Sequence, residues 1–127
     1  MNKYAKAAIE AVKLLEDDTC SNSMEAWEQS TSNLFGQGTH SQVKGCPRGA
    51  FLGLCEEGLV NGVKPGNYCK SIKNKAYAVN AVKLLKKNPE LAVNKSKLWY
   101  KSVGEPKAHS SQMDIVIALW EKGLIDF

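Results

Sequence analysis

The 127-residue chain is predicted to be all-α, a compact single domain of six to seven helices. Three observations predict it. Apolar residues recur at helical spacing, the breaks between those stretches carry helix start and stop signals, and the order of stretches in the first half returns in the second. A chain of this length buries roughly two-thirds of the surface its unfolded form exposes, so it folds without disulfide or metal staples. Its 43% hydrophobic and 24% charged residues exclude intrinsic disorder.

Ala8, Ala11, Val12 and Leu15 lie on one helical face, which predicts an amphipathic helix over residues 3 to 16, ended by Asp17, Asp18 and Thr19. Ser23 is expected to cap a second helix carrying Ala26 and Trp27, because a serine hydroxyl accepts from a free amide of the first turn. A glycine-rich polar loop follows. Cys46-Pro47 opens the next helix, where proline's missing donor costs nothing, and Ala50, Phe51, Leu54 and Cys55 form its buried side. Gly58 supplies a left-handed C-cap, with Leu59 folding back on the last turn. Asn61-Gly62 and Pro65-Gly66 are turn signals within the connector, residues 61 to 70.

Beyond the connector the pattern restarts. At an offset of 70, Ala78, Ala81, Val82, Lys83, Leu84 and Leu85 repeat Ala8, Ala11, Val12, Lys13, Leu14 and Leu15. Trp99 and Ser102 answer Trp27 and Ser30, Ser111-Gln112 answers Ser41-Gln42, and Gly123-Leu124-Ile125 answers Gly58-Leu59-Val60. Any one match is common among amphipathic helices, but four in the same order predict two diverged helical repeats, residues 1 to 60 and 71 to 127, packed with pseudo-twofold symmetry. The repeats differ mainly by an insertion around Lys44 to Arg48, which marks that place for specialisation.

Charge divides along the same line. Residues 1 to 60 hold five Lys or Arg against eight Asp or Glu, a balance of −3, and residues 61 to 127 hold twelve Lys against five acids, a balance of +7. The basic half suits anionic ligands or nucleic acid, and opposite halves can associate head to tail into a homo-oligomer; a solvated lysine face explains the same letters. No apolar run reaches the ~20 residues that span a bilayer, and the N-terminal stretch lacks a signal peptide's apolar core, so no membrane partner and a cytosolic location are expected. Cys20, Cys46, Cys55 and Cys69 are then reduced thiols. They form no CxxC pair, and although Cys46, Cys55 and His40 can meet in space, no metal and no cofactor are expected.

The richest polar stretch is GQGTHSQVKGCPRG, residues 36 to 49. Gly36 and Gly38 let the backbone approach a ligand, Thr39, His40, Ser41 and Gln42 offer donors and acceptors, and Lys44 and Arg48 bring charge to a helix start whose amides and dipole favour an anion. The spacing matches neither GxGxxG nor GxxxxGK[ST], and a long connector shaped only by turn geometry explains the glycines equally well. Cys46 sits where a helix start activates a thiol, with His40 or His109 available as a base, but no third orienting residue is identifiable; a cysteine packing inward is the structural alternative. His109 to Gln112 precede the last helix, with Ser111 and Asp114 close to a capping box, and because Ser41-Gln42 occupies the matching place, both polar loops can line one cleft. Trp27, Trp99 and Trp120 are expected in the core.

At GCPRGAFLGLCEEGLV (45 to 60), NKAYAVNAVKLLKKNP (74 to 89) and HSSQMDIVIALWEKGLI (109 to 125) the chain resembles a small family of uncharacterised bacterial and phage proteins. The resemblance spans nearly the whole chain and implies a stand-alone cytosolic protein, without an activity or a site to carry over.

Three classes of function follow. The first is a non-enzymatic binding protein for a small anionic or nucleotide-like ligand, with phage relatives pointing to sequestration of a nucleotide signal; its site would draw on the residues of the 36 to 49 loop together with His109 and Gln112. The second is a nucleic-acid-binding helical protein, since the end of the chain faintly resembles a helix-turn-helix module, though it lacks arginine and a clear recognition helix. The third is a cysteine-dependent enzyme. The binding protein is the leading reading.

Overall fold

The computed structural model describes residues 1 to 126. Six α-helices follow one another: α1 (Lys3–Glu16), α2 (Ser23–Phe35), α3 (Gly45–Glu56), α4 (Ile72–Lys87), α5 (Lys95–Val103) and α6 (Gln112–Glu121), with a 3₁₀ turn at Pro89–Val93 between α4 and α5. Among the described residues there is no strand, and none of the helices is long and apolar enough to cross a membrane.

The apolar stripe read from the first stretch is the one buried: Ala8, Ala11 and Val12 on α1, and Ala78, Ala81, Val82 and Leu85 on α4, lie in the core. α1 packs on α2 and α6, α4 packs on α5 and α3, and α3 meets α6 at the centre. Trp27 stacks on Phe51 at 5.1 Å between ring centroids, and Tyr77 meets Trp99 edge-on at 5.3 Å. Trp120, expected in the core, is only half-buried against it.

Three helices begin on an asparagine. Asn2 Oδ1 accepts from the amides of Tyr4 and Ala5, Asn22 Oδ1 from Glu25, and Asn94 Oδ1 from Lys97. The cap expected from Ser23 therefore belongs to its neighbour Asn22, and Ser23 is the first helical residue, fully buried, its hydroxyl set beside the Cys55 thiol. The capping box expected at Ser111 is likewise absent. Ser111 adopts a left-handed conformation, φ 67°, that turns its hydroxyl away from the first turn to accept from Asn2 Nδ2, and Asp114 pairs instead with Lys95 at 3.0 Å.

The glycine C-cap is present. Gly58 has φ +73°, and Leu59 N donates back to Leu54 O at 3.0 Å; Gly123, φ +70°, lets Leu124 N donate to Leu119 O at 2.9 Å. The two residues after these caps meet, Val60 opposite Ile125 in an antiparallel bridge, with Asn61 N donating to Leu124 O and Asp126 N to Leu59 O. The connector is held down by Glu56, whose carboxylate accepts from the amides of Tyr68 and Cys69 and from Lys75 Nζ.

Candidate functional site

Proximity of α3 to α4 sets the site. Gly49 and Gly53 lie one turn apart on the α3 face that meets α4, where an added Cβ would stand 2.9 Å from the Cβ atoms of Asn74 and Ser71, and 2.6 Å from that of Lys75. Only glycine lets the helices come this close, and their first turns lie side by side. The α5–α6 segment completes a cavity of about 320 Å³, lined by Cys46 from α3, Lys70 to Asn74 and Tyr77 from the start of α4, and Lys107, Ala108, Ser110 and Gln112 from the final segment.

Three helices thus bring first-turn residues to this cavity: Cys46, the Ile72 to Asn74 run and Gln112. These are also the three helices whose N-cap residues, Lys44, Ser71 and Ser111, make no side-chain capping bond, in contrast to the asparagine-capped α1, α2 and α5. A helix N-terminus carries about half a positive charge and several free amides. Lys70, Lys73 and Lys107 add three full charges on the walls, and no carboxylate is among the described lining residues. By contrast, the cavity of about 520 Å³ between α1 and α6 sets Asp114 and Glu121 beside Lys95 and Lys122.

The floor is a chain of side-chain hydrogen bonds. Gln112, 3% exposed, accepts from Ser110 N and donates through Nε2 to Asn74 Oδ1 at 3.0 Å, and Asn74 Nδ2 donates to Ser71 Oγ at 2.8 Å. On the wall, Lys107 Nζ donates to Tyr77 Oη at 2.9 Å and sits 5.1 Å over that ring; the phenolic oxygen, as acceptor, holds the lysine above its usual range despite desolvation. Trp99 Nε1 fixes the segment from behind by donating to Lys107 O.

Of the residues expected to bind a ligand, Cys46 and Gln112 are brought together here. The 36 to 42 loop is elsewhere and uses its polar groups on itself and on the neighbouring helices α1 and α2. Gln42, buried, donates to Thr31 Oγ1 and accepts from Gly38 N; Thr39 Oγ1 donates to Gly36 O and accepts from Gln42 N; Ser41 O accepts from Tyr4 Oη. His40 is exposed. Lys44 is the exposed N-cap of α3, and Arg48, half-buried, acts electrostatically on Cys69. His109 is exposed beside the edge of Trp99, 6.1 Å between centroids, outside the lining. The two polar loops therefore do not share one cleft: only the second contributes.

Lys70, Ser71, Lys73, Asn74, Tyr77 and Lys107 were not singled out by sequence, yet a signal existed. Lysine at 70 and 73 brackets the start of α4, whose first turn holds no acid, against the ordinary preference of a helix N-terminus for negative charge. The four cysteines differ in setting. Burial pushes the Cys55 thiol up to about 12, burial with the Glu25 carboxylate raises Cys20, and burial raises Cys69. No group of three or more His, Cys, Asp or Glu that could hold a metal occurs among the described residues.

No curated protein and no solved structure is significantly similar to the chain. A family model does match it, over residues 1 to 126, and the chain belongs to that family of unknown function (DUF6979).

Proposed function

We propose that the protein binds a small anionic ligand, without converting it, in the cavity where α3, α4 and α6 begin. One observation carries the reading: three lysines and three helix starts without side-chain caps share a cavity with no lining carboxylate. The positive potential of the lysine-lined walls is lowered by an anion, and the free amides find acceptors. A volume of about 320 Å³ suits a phosphorylated metabolite or a mononucleotide, at the small end of ligand pockets. Sequestration of a nucleotide signal is one form of this function.

We also infer that the chain is a duplicated unit. The Val60–Ile125 bridge, the matching cap pairs Asn22 with Asn94 and Gly58 with Gly123, and the equivalent packing of α1 on α6 and α4 on α3 support it. On that reading the starts of α1 and α6 answer those of α4 and α3. There Asn2 caps α1 and donates to Ser111 Oγ, and the cavity beside that pair sets Asp114 and Glu121 among its lysines, whereas the copy at α3 and α4 is lined by lysines without a carboxylate among the described residues.

The test is a melting screen with inorganic phosphate, mononucleotides, cyclic nucleotides, dinucleotides and phosphorylated metabolites. A ligand at a hundred times its Kd stabilises the fold by about 2.7 kcal/mol. For a domain of this size that raises Tm by several degrees. The rise should vanish in Lys73→Ala with Lys107→Ala and survive in Lys44→Ala with Arg48→Ala, which tests whether the loop takes part. No rise with any anion would remove the reading. Retardation of duplex DNA or RNA that weakens by a logarithmic slope of roughly −0.9 per neutralised phosphate, and is reduced in Lys83→Ala with Lys87→Ala, would favour nucleic acid instead.

A further inference from the structure

Three of the four thiols are withdrawn from chemistry by their surroundings. Cys55 is fully buried and Cys20 nearly so, and the Cys69 thiol donates to the carbonyls of Gly49 and Ser71. Cys46 is different. It is half-buried on the wall of the lysine-lined cavity, its thiol makes no hydrogen bond among the described residues, and Lys107 lies within electrostatic reach. A nucleophile facing a cavity that holds only positive charge selects its partners by their charge.

We propose that Cys46 is a site of reversible S-thiolation by anionic low-molecular-weight disulfides, the adduct filling the cavity and excluding its ligand. The charge selectivity rests on the anion-attracting character proposed for the cavity; the accessibility of the thiol does not. The chemistry is thiol–disulfide exchange. The Cys46 thiol loses its proton to solvent, and the thiolate attacks one sulfur of the incoming disulfide. A new bond joins Cys46 to that sulfur as the original S–S bond breaks. The departing half leaves with the electron pair and takes up a proton. Cys46 is oxidised and the departing half is reduced, and an excess of free thiol reverses the step. Lys70, Lys73 and Lys107 raise the local concentration of a carboxylate-bearing disulfide and repel a cationic one.

The experiment compares glutathione disulfide, negative at neutral pH, with cystamine, positive, on the native protein, each rate divided by that reagent's rate with 2-mercaptoethanol, which carries no charge besides its thiolate. Mass spectrometry should find one adduct per chain, on the peptide containing Cys46, removed by dithiothreitol. The normalised preference for glutathione disulfide should be roughly tenfold at low salt, decline as salt screens the lysines, and collapse in Lys73→Gln with Lys107→Gln. No adduct on the native chain, modification of Cys69 first, or equal normalised rates would overturn the proposal. Melting the same samples with inorganic phosphate separates the two readings. A phosphate-induced rise with an unreactive Cys46 overturns the thiolation alone, whereas its absence alongside equal rates removes the anion cavity as well. A thiolated protein that keeps the full rise overturns the exclusion of ligand.

Discussion

Gly53 of α3 lies against Lys75 of α4 so closely that a Cβ on the glycine would stand 2.6 Å from the Cβ and 2.7 Å from the Cα of the lysine. The obstacle is backbone, so it cannot be relieved by rotating a side chain. Gly53→Ala must separate the helices and is expected to cost at least the ~1–3 kcal/mol typical of overpacking. Gly45, in the first turn of the same helix, has nothing within 4 Å of its added Cβ, and Gly45→Ala is expected to gain about 0.5–1 kcal/mol. Urea melts of the two variants check the contrast; equal effects would mean that α3 and α4 do not make this close approach.

The start of α2 separates two neighbours with opposite roles. Asn22→Ala removes the acceptor of the Glu25 amide and should destabilise by about 1 kcal/mol. Ser23→Ala removes a buried hydroxyl that caps no first-turn amide and whose one neighbour among the described residues is the weakly bonding Cys55 thiol, and should be close to neutral. Were Ser23 the cap, equilibrium unfolding would show the reverse order.

Glu56 gives the fold an acid-sensitive clamp. The hydrogen bond from Lys75, followed by the amides of Cys69 and Tyr68, holds its carboxyl below the usual carboxylate range against an opposing desolvation. A carboxylate depressed in the folded state contributes stability that is present above its unfolded value, about 4.3, and is lost as pH falls through the folded value. Lys75 is raised by Glu56 and then Glu57, so its share is present below about 10.4 and is lost as pH rises through its folded value. Glu56→Gln should therefore destabilise the protein at pH 7 and cost progressively less as pH falls below 4. A difference from wild type that does not change between pH 7 and pH 3 would contradict the clamp.

Gln112 and Lys73 line the same cavity, yet only the first supports the fold. Gln112→Ala strands Ser110 N and Asn74 Oδ1 and is expected to cost about 1–3 kcal/mol. Lys73, exposed and without a salt bridge among the described residues, should change stability by no more than about 0.5 kcal/mol on replacement by alanine. Thermal melts without ligand check this, and they make Lys73 a clean probe of binding.

Helix content was legible because it is local. The spacing of Ala8, Ala11 and Val12, the proline after Cys46 and the glycine at 58 act through a few neighbouring residues, and α1 and the C-cap of α3 occur where those letters place them. Cap identity was harder, since Asn22 and Ser23 are both good caps and a one-residue shift of the helix start decides between them. Which polar residues share a site was not local at all. The 36 to 42 loop looked available in the sequence because nothing there shows that Gln42 reaches Thr31 or that Ser41 meets Tyr4. Cys46, Asn74 and Gln112 are far apart along the chain and meet where Gly49 and Gly53 let α4 lie close against α3, with the start of α6 as the third helix start at one cavity. Sequence determined which segments become helices, through short-range periodicity and termination. The tertiary packing decided which helix starts would be left without a side-chain cap and collected beside the lysines, because that depends on distances between segments that no local pattern encodes.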